Sequence, residues 1–225
     1  MSSQTTKAID TRLKLRPRRI IVPAAILVLL AAMALDTRIV KIGSEADIAP
    51  NTFSPAAFGE AEFPKVRSAI EARAVDAVTL AAAVAKDKEA AGKGYGVEPA
   101  KSGVATSNGP VICIKFTGVA SKGESFEHVV KVEGIPSTLI IRVQTGPAIY
   151  GTDLRDATGT ISFGQFVNQI DYQNAGAALN KEMKKRILSK IDTATLTGKT
   201  VFVVGAFKLT NPNNWLVTPV KLDVQ

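Results

Sequence analysis

Residues 111–144 read VICIKFTGVASKGESFEHVVKVEGIPSTLIIRVQ, and apolar side chains in this run recur every second position. That period belongs to strands, whose side chains alternate between two faces. Residues 111–120 form a first strand, and Ser121-Lys122-Gly123 turns the chain. Residues 124–133 form a second strand with Phe126, His128, Val130 and Val132 on one face. Gly134-Ile135-Pro136-Ser137 turns it again. Residues 138–144 form a third, with Leu139, Ile141 and Val143 on one face and Arg142 and Gln144 on the other.

Downstream, Ala175, Leu179, Met183, Ile187 and Ile191 form one stripe at helical spacing, which predicts a helix over 174–191. Lys181, Glu182, Lys184, Lys185, Arg186 and Lys190 lie opposite that stripe as a solvated face. Gly198 precedes a fourth strand over 200–209. Asn211-Pro212-Asn213-Asn214 is a turn, and 215–224 is a fifth strand with Leu216, Thr218, Val220, Leu222 and Val224 on one face. Three strands, a helix and two strands is the order of an OB-fold, a five-stranded, partly open barrel. The fold class is therefore mostly β with helices (α+β): an OB-like five-stranded barrel over 99–225, with a helix between strands 3 and 4.

An N-terminal helical segment over 54–98 precedes the barrel. Ser54-Pro55 is a helix start, an N-cap residue followed by proline at the first position. Phe63, Val66, Ile70, Ala74, Ala77, Ala81 and Val84 follow at three- and four-residue spacing. Pro64 is expected to divide this stretch into a short and a long helix, and Gly92, Gly94 and Gly96 to end it. Residues 99–110 are a loop rich in Ser and Gly. Residues 36–53 are a connector, with a short strand over 37–42.

Residues 1–35 carry Lys7, Arg12, Lys14, Arg16, Arg18 and Arg19 against one acid, Asp10. The chain's net charge of +8 is thus concentrated there. An uncharged run, IIVPAAILVLLAAMAL, follows over 20–35. As a helix it rises about 24 Å, against about 30 Å for a bilayer core. Its length and flanks fit a signal-peptide core or a short transmembrane helix. Ala32-Met33-Ala34 offers small residues for cleavage near Ala34. The basic flank keeps the N-terminal end cytoplasmic. The expected location is the inner membrane facing the periplasm, or the periplasm after cleavage, with the membrane contacted through residues 20–35.

Chemistry is sparse. The one histidine, His128, and the one cysteine, Cys113, cannot build a structural zinc site. A hairpin turning at 121–123 would set Cys113 opposite about residue 130, with His128 a diagonal neighbour at about 7–8 Å. That pair could activate a thiol; the plainer reading is two packed residues of a barrel wall. No phosphate-binding glycine loop follows a strand. The expectation is no enzyme, no metal and no cofactor. The near-balanced charge beyond residue 35, and the few aromatics on the strands, argue against nucleic acid.

The most unusual segment is 144–172, QTGPAIYGTDLRDATGTISFGQFVNQIDY. Loops this long in compact domains are often functional. Its candidate ligand- or partner-binding residues are Gln144, Thr145, Gly146, Tyr150, Thr152, Arg155, Asp156, Asn168 and Gln169. Their amides, hydroxyls and guanidinium suit sugar hydroxyls or a partner's backbone. Turn formation and a local Arg155–Asp156 ion pair account for the same residues structurally.

Within this segment, Val143-Gln144-Thr145-Gly146-Pro147, Gly151-Thr152-Asp153-Leu154-Arg155-Asp156, Ile161-Ser162-Phe163 and Phe166-Val167-Asn168-Gln169-Ile170 resemble the signature of domain of unknown function 2291. That is a family of predicted periplasmic lipoproteins, and the similarity extends over most of 20–225. The resemblance implies an OB-like barrel, an envelope location and genes often beside sugar ABC transporters of the ribose and xylose type. It implies no catalytic residues. The chain departs from the lipoprotein pattern, because no cysteine follows its apolar run. The functional expectation is a cell-envelope accessory protein with sugar transporter components as partners. The alternatives are a periplasmic sugar-binding module and, behind it, an oligonucleotide-binding OB module.

Overall fold

Helix α1, Arg18–Asp36, contains the apolar run, with Leu27, Val28, Leu29, Leu30 and Leu35 exposed. The computed structural model describes residues 18–36, 53–97, 109–124 and 126–225. Among them no helix is long and apolar enough to cross a membrane. The expected transmembrane helix is corrected accordingly: its uncharged part falls several ångströms short of a bilayer core of about 30 Å. The predicted connector strand over 37–42 and most of the 99–110 loop lie outside the described residues. Helix α1 belongs to a first unit, Met1–Thr52, and everything below to a second, Phe53–Gln225.

Ser54 caps α2, Pro55–Arg73, its Oγ accepting from Ala57 N at 3.4 Å. The predicted stripe is the buried one: Phe63, Val66 and Ile70 are fully covered. Pro64 does not divide the helix. It sits inside α2, and the break falls instead at Val75–Asp76, a two-residue strand β1. β1 pairs in parallel with the first barrel strand, and Asp76 then caps α3, Ala77–Lys86, through Val78 N at 2.9 Å. Asp87 caps α4, Lys88–Tyr95, in the same manner. An edge pairing and two aspartate caps outcompete the proline as the punctuation of this stretch. Gly96–Val97 forms β2.

The barrel strands are β3 Val111–Lys122, β4 Glu127–Lys131, β5 Ile140–Gln144, β6 Thr200–Lys208 and β7 Asn214–Val224. They pair in the order β3-β4-β5-β7-β6, and β6 closes on β3 from Val111↔Lys208 to Val119↔Thr200. All barrel pairings are antiparallel except β5 with β7. A parallel pair requires a crossover connection, and here it contains α5, Asp153–Asp156, and α6, Gln169–Arg186.

The long β3 is shared. Only residues from Val119 to Lys122 pair with β4, while β2 and β1 take Val111, Ile112, Ile114 and Lys115 on that side. In the core Trp215 stacks on Phe207 at 4.8 Å, with Ile112, Ile114 and Ile141 also fully buried. Ala175, Leu179 and Met183 of α6 bury the predicted stripe. The helix starts five residues earlier than its stripe suggests, because Asn168 accepts from Asp171 N at 2.8 Å and caps it. α2 packs on α6 at Gly59, where a Cβ would come 2.8 Å from the Ala178 carbonyl oxygen.

Candidate functional site

At the end of β5, Gln144 is buried and its amide points into the loop that follows. Its Oε1 accepts from Tyr150 N at 2.7 Å; its Nε2 donates to Tyr150 O at 3.0 Å and to Thr218 Oγ1 at 2.8 Å. Thr145 is also buried, with Oγ1 2.6 Å from His128 Nδ1. Burial lowers the His128 pKa below its usual 6.5. Gly146 donates to Phe126 O at 2.8 Å, and a Cβ there would lie 2.1 Å from Phe126 Cβ. These three residues close the loop rather than present themselves to solvent.

Arg155 and Asp156 form a buried knot. Arg155 Nε meets Asp156 Oδ1 at 2.8 Å, and both side chains are about 95% covered. Arg155 Nη1 donates to Tyr172 O at 3.0 Å, and its guanidinium lies over the Tyr172 ring. Thr152 Oγ1 donates to Asp156 Oδ2 at 2.8 Å, with Lys208 Nζ 3.7 Å from the same oxygen. The Nε and Nη1 of Arg155 thus serve internal contacts and its face covers an aromatic ring, so the side chain braces the fold. Asn168 is occupied as the α6 cap and Gln169 lies exposed beside it.

Several residues of this region carry signals the sequence did not single out. Asn180, on α6, donates Nδ2 to Gly151 O at 2.9 Å, while its own buried Oδ1 has no partner. Asp153 is mostly buried, and desolvation pushes its carboxyl up to about 7. Beside exposed polar residues such as Gln165, Asn168 and Gln169, three large apolar or aromatic side chains are exposed: Tyr150 at 59%, Val167 at 84% and Ile170 at 71%. Isolated exposed apolar residues are ordinary, but Val167 and Ile170 share one end of α6, three positions apart.

The Cys113–His128 pairing is corrected. β3 sets Cys113 across from Ala206 of β6, whereas His128 faces Lys122 and Val143. The hairpin turns later than 121–123, and only the last four β3 residues reach β4. Burial raises the Cys113 thiol to about 11. Among the described residues no group of three or more His, Cys, Asp and Glu side chains is placed to hold a metal. A groove of about 640 Å³ runs between α2 and α6, lined by Pro55, Ala56, Glu60, Ala177, Lys181 and Lys185 among others.

No curated protein matches the chain. The fold is similar to the crystal structure of an OB-fold protein from Thermotoga maritima MSB8, with a TM-score of 0.61 and 20% identity, covering 78% of this chain and 100% of that one. At that identity the likeness is one of fold alone. Residues 24–223 match a family described as "Predicted periplasmic lipoprotein (DUF2291)", a description consistent with a periplasmic location. The sole cysteine lies inside β3, well away from the apolar run that would precede a lipid-bearing cysteine. With a signature segment that braces the barrel and a match over nearly its whole length, the chain belongs to the DUF2291 family of predicted periplasmic lipoproteins.

Proposed function

We propose that the protein is a periplasm-facing accessory protein that binds a partner of the cell envelope and turns over no substrate. Residues 20–35 direct it to the membrane as an export signal. The observation that carries the reading is the division of labour within 144–172. Gln144, Thr145, Thr152, Arg155 and Asp156 direct their polar atoms inward, and Asn168 spends its own on the α6 cap at the surface. Tyr150, Val167 and Ile170 are left outside. Aromatic and aliphatic side chains on a rigid support suit protein contacts. The same division weighs against a sugar held by Gln144, Thr152, Arg155 and Asp156, since these groups are already engaged. The family resemblance makes a sugar ABC transporter component the expected partner.

The test is crosslinking in native membranes with a photoreactive side chain at Tyr150 or Val167, read by mass spectrometry. The reading expects one transport or envelope protein captured at these positions, and its loss in V167S/I170S with the fold intact. Equal capture from a control position on β6 would overturn it.

A further inference from the structure

Helix α6 leaves one face uncovered. Ile170, Ala177, Lys181 and Lys185 are exposed and follow one another at spacings of seven, four and four residues, which keeps them on one side of the helix. The groove beside α2 lies along this face. Asn174, Ala177, Lys181 and Lys185 belong to its α6 wall, and Ala56 and Glu60 to the opposite one. The lining between its charged groups is chiefly apolar.

The two ends of the face differ in chemistry. At the start of α6 stand Val167 and Ile170, large, apolar and mostly exposed. They rest on a rigid base, since Phe166 packs on Phe53 at 5.2 Å and on Phe58 at 5.6 Å. At the other end stand cations without adequate partners. Lys181 makes no hydrogen bond or ion pair among the described residues. Lys185 reaches Glu182 only at 3.5 Å with its side chain 66% exposed, and Glu182 is already held by Arg186 at 2.7 Å. Glu182 is buried, so Glu60 is the one exposed acid of the lining against these two lysines. The walls are helices and offer no strand edge for an extended segment to pair with. A segment that gives up water here has to satisfy its own backbone, which a helix does.

We infer that the groove receives an amphipathic helix of the partner, apolar toward Ile170 and acidic toward Lys181 and Lys185. The inference rests on the partner-binding reading and names what that partner presents. Ile170 to Lys185 spans about 22 Å of helix, which a visiting helix of about four turns matches. Lys181 and Lys185 are one turn apart, so the acids that meet them are three or four residues apart.

Photoreactive side chains at Val167 and, separately, at Ala177 of the full chain test it in native membranes, with the crosslinked peptides sequenced by mass spectrometry. Both positions are expected to capture neighbouring stretches of one partner protein. The stretch under Ala177 should carry apolar residues at helical spacing and Asp or Glu three or four apart at one end. K181E/K185E should lower capture at Ala177 about tenfold, by turning two exposed attractions into repulsions, while K181R/K185R stays near wild type. Capture at Val167 alone overturns the groove and leaves the partner reading standing; capture of no partner at either position overturns both. Capture at Ala177 alone, a captured stretch without acids, or capture indifferent to K181E/K185E overturns the inference. A crosslink from Ala177 to lipid, to a second copy or to residues 1–52 of the same chain does so as well.

Discussion

The guanidinium of Arg155 lies 3.6 Å from the centre of the Tyr172 ring and donates to that residue's carbonyl at 3.0 Å. One side chain thus joins α5 to the first turn of α6 while its Nε holds Asp156. Removing one member of a buried ion pair strands the other charge, at about 3–5 kcal/mol. R155A is expected to lose that much in urea unfolding, followed by the fluorescence of Trp215, the only tryptophan and fully buried. Y150A, at an exposed position, should stay within about 0.5 kcal/mol of wild type. Comparable losses in the two variants would contradict the roles assigned to them.

Asp153 gives stability a dependence on pH. Its folded carboxyl sits at about 7 against 3.8 for the free group, so between those values the folded chain holds a proton that the unfolded chain has released. This contribution is full below about pH 4, declines up to about pH 7 and is lost above. D153N removes the penalty of burying a charge. It should stabilise the protein at pH 8 by about 2 kcal/mol, at 1.4 kcal/mol per pKa unit reduced for partial exposure, and do nothing at pH 4. Thermal unfolding at the two pH values decides it.

Gly146 has no room for a side chain. An added Cβ meets Phe126 Cβ at 2.1 Å and its Cα at 2.6 Å, so backbone must move. G146A is expected to cost about 2–3 kcal/mol as overpacking. For a domain of this size that lowers Tm by roughly 4–10 °C. An unshifted Tm would show that the close approach is relieved cheaply.

Cys113 should be chemically silent. With its thiol near 11, about one molecule in a thousand is thiolate at pH 8, and the side chain is 2% exposed. A thiol reagent is expected to label it only in denaturant, with one equivalent per chain. Rapid labelling of the native protein would refute the burial.

The barrel was legible because its strands obey a period of two over long runs, and β3, β5, β6 and β7 begin within two residues of where alternation puts them. The α6 stripe was equally plain, but its cap was not: Asn168 lies in a polar stretch where any of several residues could start a helix. Register was hidden because β3 carries more residues than its hairpin uses, and periodicity does not say which ones face β4. The site was half legible. Unusual density marked 144–172 as special, yet composition cannot say whether a guanidinium points out or in. Arg155 turns inward because Asp156 and Tyr172 O together satisfy it, and those partners meet only after the chain has folded.

β1 and β2 are two residues each, yet they cover the flank of β3 that its short hairpin leaves bare. β6 closes on β3 from Val111 to Val119, whereas β5 reaches β7 only at Asn214–Val217, so among the described residues the side of β7 away from β6 carries no strand pairing from Thr218 to Val224. Recruitment by strand addition, a common way for sheets to take up peptides, is closed off at the flank of β3 that β1 and β2 cover. Whatever docks on that flank must be recognised by side chains, and its specificity is open to dissection one substitution at a time.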